Sequence, residues 1–87
     1  MKIKDGFILR EVAGSYLVVA VGDAVKNFQG IINLNETGAF LWKNAEKELN
    51  KDKMVEALLS EYDVEKDVAE KDVEAFISKL KEMNLVK

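Results

Sequence analysis

The 87-residue chain contains no cysteine, no histidine and no proline. Without cysteine, neither a disulfide framework nor a thiolate metal site can form. Without histidine, the commonest general base and the usual ligand of zinc, copper and non-haem iron are gone. The chain also lacks a surplus of positive charge: 13 Lys and Arg stand against 16 Asp and Glu, a formal charge of −3. Nucleic-acid binders concentrate a basic surplus on one face, and none is found here. No apolar stretch approaches the roughly 18 residues needed to cross a bilayer. The opening MKIKDGFILREVAG is too polar and broken for a secretory signal. Position 1–87 therefore reads as one domain, expected in the cytoplasm, with no membrane partner.

Catalytic motifs are missing too. The sequence holds no GxSxG, P-loop or GxGxxG, and no Ser or Thr has a histidine to activate it. Ser15, Thr37, Ser60 and Ser78 read as turn, cap-region and surface residues. The expectation is a protein that is not an enzyme, with no catalytic residue and no cofactor. One segment imitates a calcium loop: Asp63, Glu65, Asp67 and Glu74 take positions one, three, five and twelve. Position six, where the loop needs glycine, is Val68, and helical periodicity runs through the segment. Solvated helix charges are the expected reading, and no metal site is assigned.

What is present changes character at Asn35. Before it, β-branched and aromatic residues dominate, punctuated by Gly6, Gly14, Gly22 and Gly30; after it, Lys, Glu, Leu and Ala recur at helical spacing. Strands followed by helices argue for an α+β fold rather than a parallel α/β sheet. The first strand is expected over Phe7 to Ala13 and the second over Tyr16 to Gly22, joined by a hairpin turn at Gly14-Ser15. Asp23 to Gln29 reads as a loop or as an extension of the second strand. A short third strand spans Gly30 to Leu34, and short strands are typical of sheet edges.

Three helices are expected to follow. Asn35 caps the first, with Glu36 in its opening turn and Ala39, Phe40, Leu41, Trp42 and Ala45 as apolar positions. Trp42 is expected in the core rather than as a ligand platform. Asn50 caps the second, whose stripe is Met54, Val55, Leu58, Leu59 and Tyr62. The third runs from Glu65 to Met83 with the stripe Val68, Ala69, Val73, Phe76, Ile77, Leu80 and Met83. Asn84 is a candidate left-handed cap, and Leu85-Val86 is expected to pack back onto the body.

Three functional readings compete. Three helices beside a small sheet resemble a winged helix-turn-helix, but the third helix carries Lys66, Lys71, Lys79 and Lys81 against six acids. It would repel phosphates. An edge-paired structural dimer is the second reading. The third is peptide capture: the short third strand offers unpaired N–H and C=O groups, and a helix alongside would make a groove with Phe76 and Leu80 on its far wall. An ordinary solvent-facing edge fits the same residues.

The string Ile32-Asn33-Leu34-Asn35-Glu36-Thr37-Gly38-Ala39-Phe40-Leu41-Trp42 resembles the strand-to-helix junction of the PqqD family. Asp72-Val73-Glu74-Ala75-Phe76-Ile77-Ser78-Lys79-Leu80 resembles that family's third helix, and Leu85-Val86 takes the place of its closing pair. Asn84 stands where many members have glycine, a mild departure because asparagine tolerates the left-handed conformation. The resemblance covers nearly the whole chain. It implies a three-stranded antiparallel sheet followed by three helices, a winged helix-turn-helix variant. It further implies capture of the leader segment of a ribosomally made precursor peptide, delivered to a modifying enzyme such as a radical S-adenosylmethionine protein. By position, the peptide-binding residues it implies are Gly30, Ile31, Ile32 and Asn33 on the strand, with Asp72, Phe76, Lys79, Leu80 and Met83 on the helix. A monomer or weak dimer is the expected state.

Overall fold

The computed structural model describes residues 2–27, 30–48 and 50–87. Three antiparallel strands come first: β1 (Phe7–Val12), β2 (Ser15–Ala20) and β3 (Ile31–Leu34), in spatial order β1-β2-β3. A one-turn helix α1 (Ala24–Asn27) lies between β2 and β3; α2 (Glu36–Ala45), α3 (Lys51–Glu61) and α4 (Lys66–Glu82) follow. This is the expected α+β arrangement, with one added turn of helix.

The β1–β2 hairpin closes one residue earlier than the glycine suggested. Val12 pairs with Ser15, so the two central residues are Ala13 and Gly14, not Gly14 and Ser15. Both have positive φ, 51° and 81°. A two-residue turn with two left-handed residues matches the right-handed twist of its strands, and that geometric demand outweighs the cost to alanine. Between β2 and β3, the ambiguous segment is neither loop nor strand at its start. Amides of Ala24, Val25 and Lys26 bond to the carbonyls of Val21, Gly22 and Asp23, winding the chain into α1. The remainder of that segment, Phe28 and Gln29, lies outside the described residues.

The helix starts follow local chemistry. The Asn35 side chain accepts a hydrogen bond from the Gly38 N–H at 2.7 Å, and that of Asn50 accepts from Lys53 N–H at 3.0 Å. Each satisfies one of the unpaired donors in a first helical turn. At the far end of α4, Asn84 takes φ 58°, and the Leu85 N–H returns to the Leu80 carbonyl at 2.9 Å. That left-handed residue turns the chain back onto the body. Leu85 is buried, and residues 2–4 pair with residues 85–87 through an Ile3–Val86 bridge.

One core lies between the sheet's inner face and the helices. Val18 and Ile32 come from the sheet; Leu41, Trp42, Ala45, Met54, Val55, Leu58, Ala69, Val73, Phe76 and Leu80 come from α2, α3 and α4. Trp42 is 1% exposed, so it is a core residue and no ligand platform. Two members of the predicted stripes are not core. Leu59 and Val68 are 37% and 43% exposed, because each sits one position to the side of the row its helix buries. The Asp63–Glu74 segment is α4 from Lys66 onward, with no left-handed turn at Val68.

Candidate functional site

Sheet order leaves two edges, β1 and β3. Among the described residues β3 pairs only with β2, in the register Tyr16–Leu34, Leu17–Asn33, Val18–Ile32 and Val19–Ile31. Alternate residues of an antiparallel strand direct their N–H and C=O groups to the same side. Two of the four β3 residues therefore present both groups to the open side, offering two donors and two acceptors. Side chains alternate across the other axis: Ile32 is buried and Leu34 half-buried on the core side, whereas Ile31 and Asn33 face outward and are exposed.

Across from the C-terminal half of β3 runs α4, and between them is a cavity of about 380 Å³. Its strand side is Asn33, Leu34 and Asn35; its helix side is Asp72, Ala75, Phe76 and Lys79; Thr37, Gly38 and Leu41 of α2 complete it. Residues 72, 75, 76 and 79 share one face because side chains three and four positions apart on a helix are neighbours. The groove has an apolar floor with a polar rim. Phe76, 7% exposed, and Leu41, 2% exposed, belong to both core and groove, while Asp72 and Lys79 stand exposed. Gly38 keeps the α2 end narrow. A Cβ there would come within 3.1 Å of Asn35 Oδ1 and 3.4 Å of the Leu34 side chain, so the first turn of α2 sits directly on the end of β3.

Four of the residues implied by the resemblance, Asn33, Asp72, Phe76 and Lys79, meet in this cavity. The others are placed elsewhere. Gly30, expected to open the strand, is a bend just before it with φ 113°. Ile31 and Ile32 form the preceding half of β3, with Ile31 57% exposed and Ile32 turned into the core. Leu80 is 2% exposed within the core, and Met83 lines a different cavity with Phe7, Ala24 and Leu85. Sequence reasoning passed over Asn35, Thr37, Gly38 and Ala75. The signal for Ala75 was available in the spacing 72, 75, 79. That for the α2 residues lay in the junction string, whose glycine marks a close approach.

Among the described residues two titratable groups are shifted, both away from the groove. The hydrogen bond from the Lys51 ammonium to Glu74, at 2.5 Å, raises the Lys51 pKa above 10.5, with the charges of Glu74 and Glu70 acting the same way against partial desolvation. Burial raises the Tyr62 hydroxyl above 10.0, reinforced by Glu36 and Glu61; its ring stands edge-on to Phe40 at 5.5 Å. Among the described residues no cluster of His, Cys, Asp and Glu has the makings of a metal site. No described helix is long and apolar enough to cross a membrane.

A small α+β domain with an open strand edge facing a helix across a groove is the class of protein these features define. The chain belongs to the PqqD family, described as coenzyme PQQ synthesis protein D, whose model matches residues 8–86. Among solved structures, the chain is similar to TbiB1 in complex with the TbiA(beta) leader peptide. That match has 21% identity and a TM-score of 0.77, and covers 100% of this chain and 95% of the other. It is similar also to lasso peptide synthetase B1 complexed with the leader peptide, at 22% identity and a TM-score of 0.73, over 98% of this chain and 93% of that one. No curated protein matches the chain at a significant level.

Proposed function

We propose that this domain captures the leader segment of a ribosomally made precursor peptide as an added strand on β3 and presents it to a modifying enzyme, without a catalytic residue of its own. The observation that carries the reading is the open β3 edge facing α4 across an apolar-floored groove. Two proteins that share the fold are seen with a leader peptide bound, which supports it.

The groove's chemistry bounds the affinity. Four backbone hydrogen bonds at about 0.5–1.5 kcal/mol each contribute roughly 2–6 kcal/mol. One or two apolar side chains seated over Phe76 and Leu41 add about 1.5–3 kcal/mol apiece. These gains total about 3.5–12 kcal/mol before the costs of ordering a flexible peptide, so a Kd near micromolar, about −8 kcal/mol, is the strong limit of what the groove supplies. In this reading Gly30, Ile31, Ile32 and Asn33 supply strand backbone, and Asp72, Phe76 and Lys79 meet leader side chains. Leu80 and Met83 act from behind by holding α4 in place. A radical S-adenosylmethionine protein is the proposed recipient, in the cytoplasm.

The test is a titration with synthetic leader segments of candidate ribosomally made precursor peptides, taken from short open reading frames sought beside the gene, followed by amide hydrogen exchange of the complex. Micromolar binding with slowed exchange at positions 31–34 is expected. Protection along β1 instead, the sheet's other edge, would contradict the assignment, as would the absence of binding by every such leader.

A further inference from the structure

We infer that the groove selects a leader with a fixed charge order: a basic residue, then four positions towards the C-terminus an acidic one, with an apolar side chain midway. The inference rests on strand capture at β3 and adds to it the chemistry of the captured segment. Asp72 and Lys79 are the only charged side chains that line the groove among the described residues, and both are exposed. Neither takes part in the ion pairs found among those residues, which are Lys26–Asp23, Lys51–Glu74 and Lys87–Asp5. Each is thus available to an incoming peptide.

Their order along the lane follows from topology. At one end of the sheet Phe7 pairs with Ala20 and Val19 with Ile31. Met83, Asn84 and Leu85, at the C-terminal end of α4, share a cavity with Phe7 and Ala24 at that same end. The helix therefore points towards the Ile31 end, and the sense of α4 opposes that of β3. Lys79 lies nearer Ile31 and Asp72 nearer Asn35. Both pairings already in the sheet are antiparallel, the slightly more stable sense per residue. A strand added to β3 in that sense runs from the Asn35 end towards the Ile31 end, meeting Asp72 first and Lys79 second.

Spacing selects the interval. Seven helical residues separate the two charges by about 10 Å along the helix. Groove-facing side chains of a strand recur every second residue, so the choices are about 7 Å for two residues and about 13 Å for four. The flexible four-carbon stem of Lys79 reaches outward to close the longer gap. The four-residue interval also leaves one inward side chain between the charges, over Ala75 and the edge of Phe76. The residues between face the same side as Ile31 and Asn33.

Three fluorescein-labelled 11-residue peptides with Gly-Ser flanks test this: a core of Lys-Thr-Val-Thr-Glu, the reversed Glu-Thr-Val-Thr-Lys and the neutral Gln-Thr-Val-Thr-Gln. Fluorescence polarisation against the intact protein should rank them in the order first, neutral, reversed. The first and last should differ by about tenfold, the sum of several exposed charge contacts. Raising salt from about 0.1 M to about 1 M, which shortens the Debye length from about 10 Å to about 3 Å, should collapse the difference. The double variant Asp72→Lys with Lys79→Glu, at two exposed positions, should invert the ranking with an unchanged thermal melt. Equal binding of all three, or a ranking the double variant does not invert, overturns the charge order while leaving strand capture standing. Binding of none overturns both.

Discussion

Phe76 and Ala75 are neighbours on α4 that line the same groove, yet only one of them belongs to the core, and substituting each separates stability from recognition. Phe76 is 7% exposed and packs in the central cluster with Val73 and Leu80. Truncation to alanine removes a buried ring and leaves a cavity, at a cost of about 3–5 kcal/mol. An 87-residue domain has roughly 4–13 kcal/mol of stability in total, so this change removes a large share of it. At about 4–8 °C per kcal/mol for a domain of this size, Tm should fall by at least about 12 °C. Ala75 is exposed, and Ala75→Arg extends a long side chain into the groove without disturbing the core. Its stability should stay within about 0.5 kcal/mol of the parent. Urea denaturation is the assay, with the fluorescence of Trp42 as reporter, because it is the sole tryptophan and is 1% exposed. Leader binding, measured where each variant is folded, should be lost in Ala75→Arg. A cost below about 1 kcal/mol for Phe76→Ala would refute the placement of the ring, and a comparable cost for Ala75→Arg would refute the division between core and groove.

Ala13→Asn should raise stability by about 0.5–1 kcal/mol in chemical denaturation, because it turns a strained left-handed alanine beside Gly14 into the Asn-Gly pair such hairpins prefer. Gly6→Ala should destabilise by more than about 1 kcal/mol, since Gly6 has φ 92° and a Cβ there would meet Ala24 Cβ at 2.7 Å; an unchanged melt would count against the contact of α1 with the N-terminal segment. Asn35→Ala should cost about 1 kcal/mol through loss of the cap on Gly38, and Asn35→Asp should restore most of it. Lys51 has a folded pKa above its ordinary 10.5, so its contribution is complete below that value and is lost as pH rises through the folded pKa. Tyr62, raised above 10.0, acts in the same direction. Stability should therefore decline above about pH 10, and Glu74→Gln should flatten the part of that decline due to Lys51.

Much of this protein is written in local chemistry. The step from strands to helices at Asn35, the caps at Asn35, Asn50 and Asn84, and the buried row of Ala69, Val73, Phe76 and Leu80 follow from side-chain periodicity and from contacts within four or five residues. Such signals can be read without knowing what lies across the core. Other features could not be read that way. Strand twist, imposed by the paired partner, moved the hairpin turn onto Ala13. Coverage by neighbouring elements left Leu59 and Val68 outside the core although their spacing suited it. The groove belongs to this second kind. Asn33 and Asp72 are 39 positions apart, and only the packing of α2 between β3 and α4 brings them to one cavity. Periodicity determines which residues a helix can bury, while the direction from which the rest of the chain arrives decides which of them it does bury, and so which remain to meet a partner.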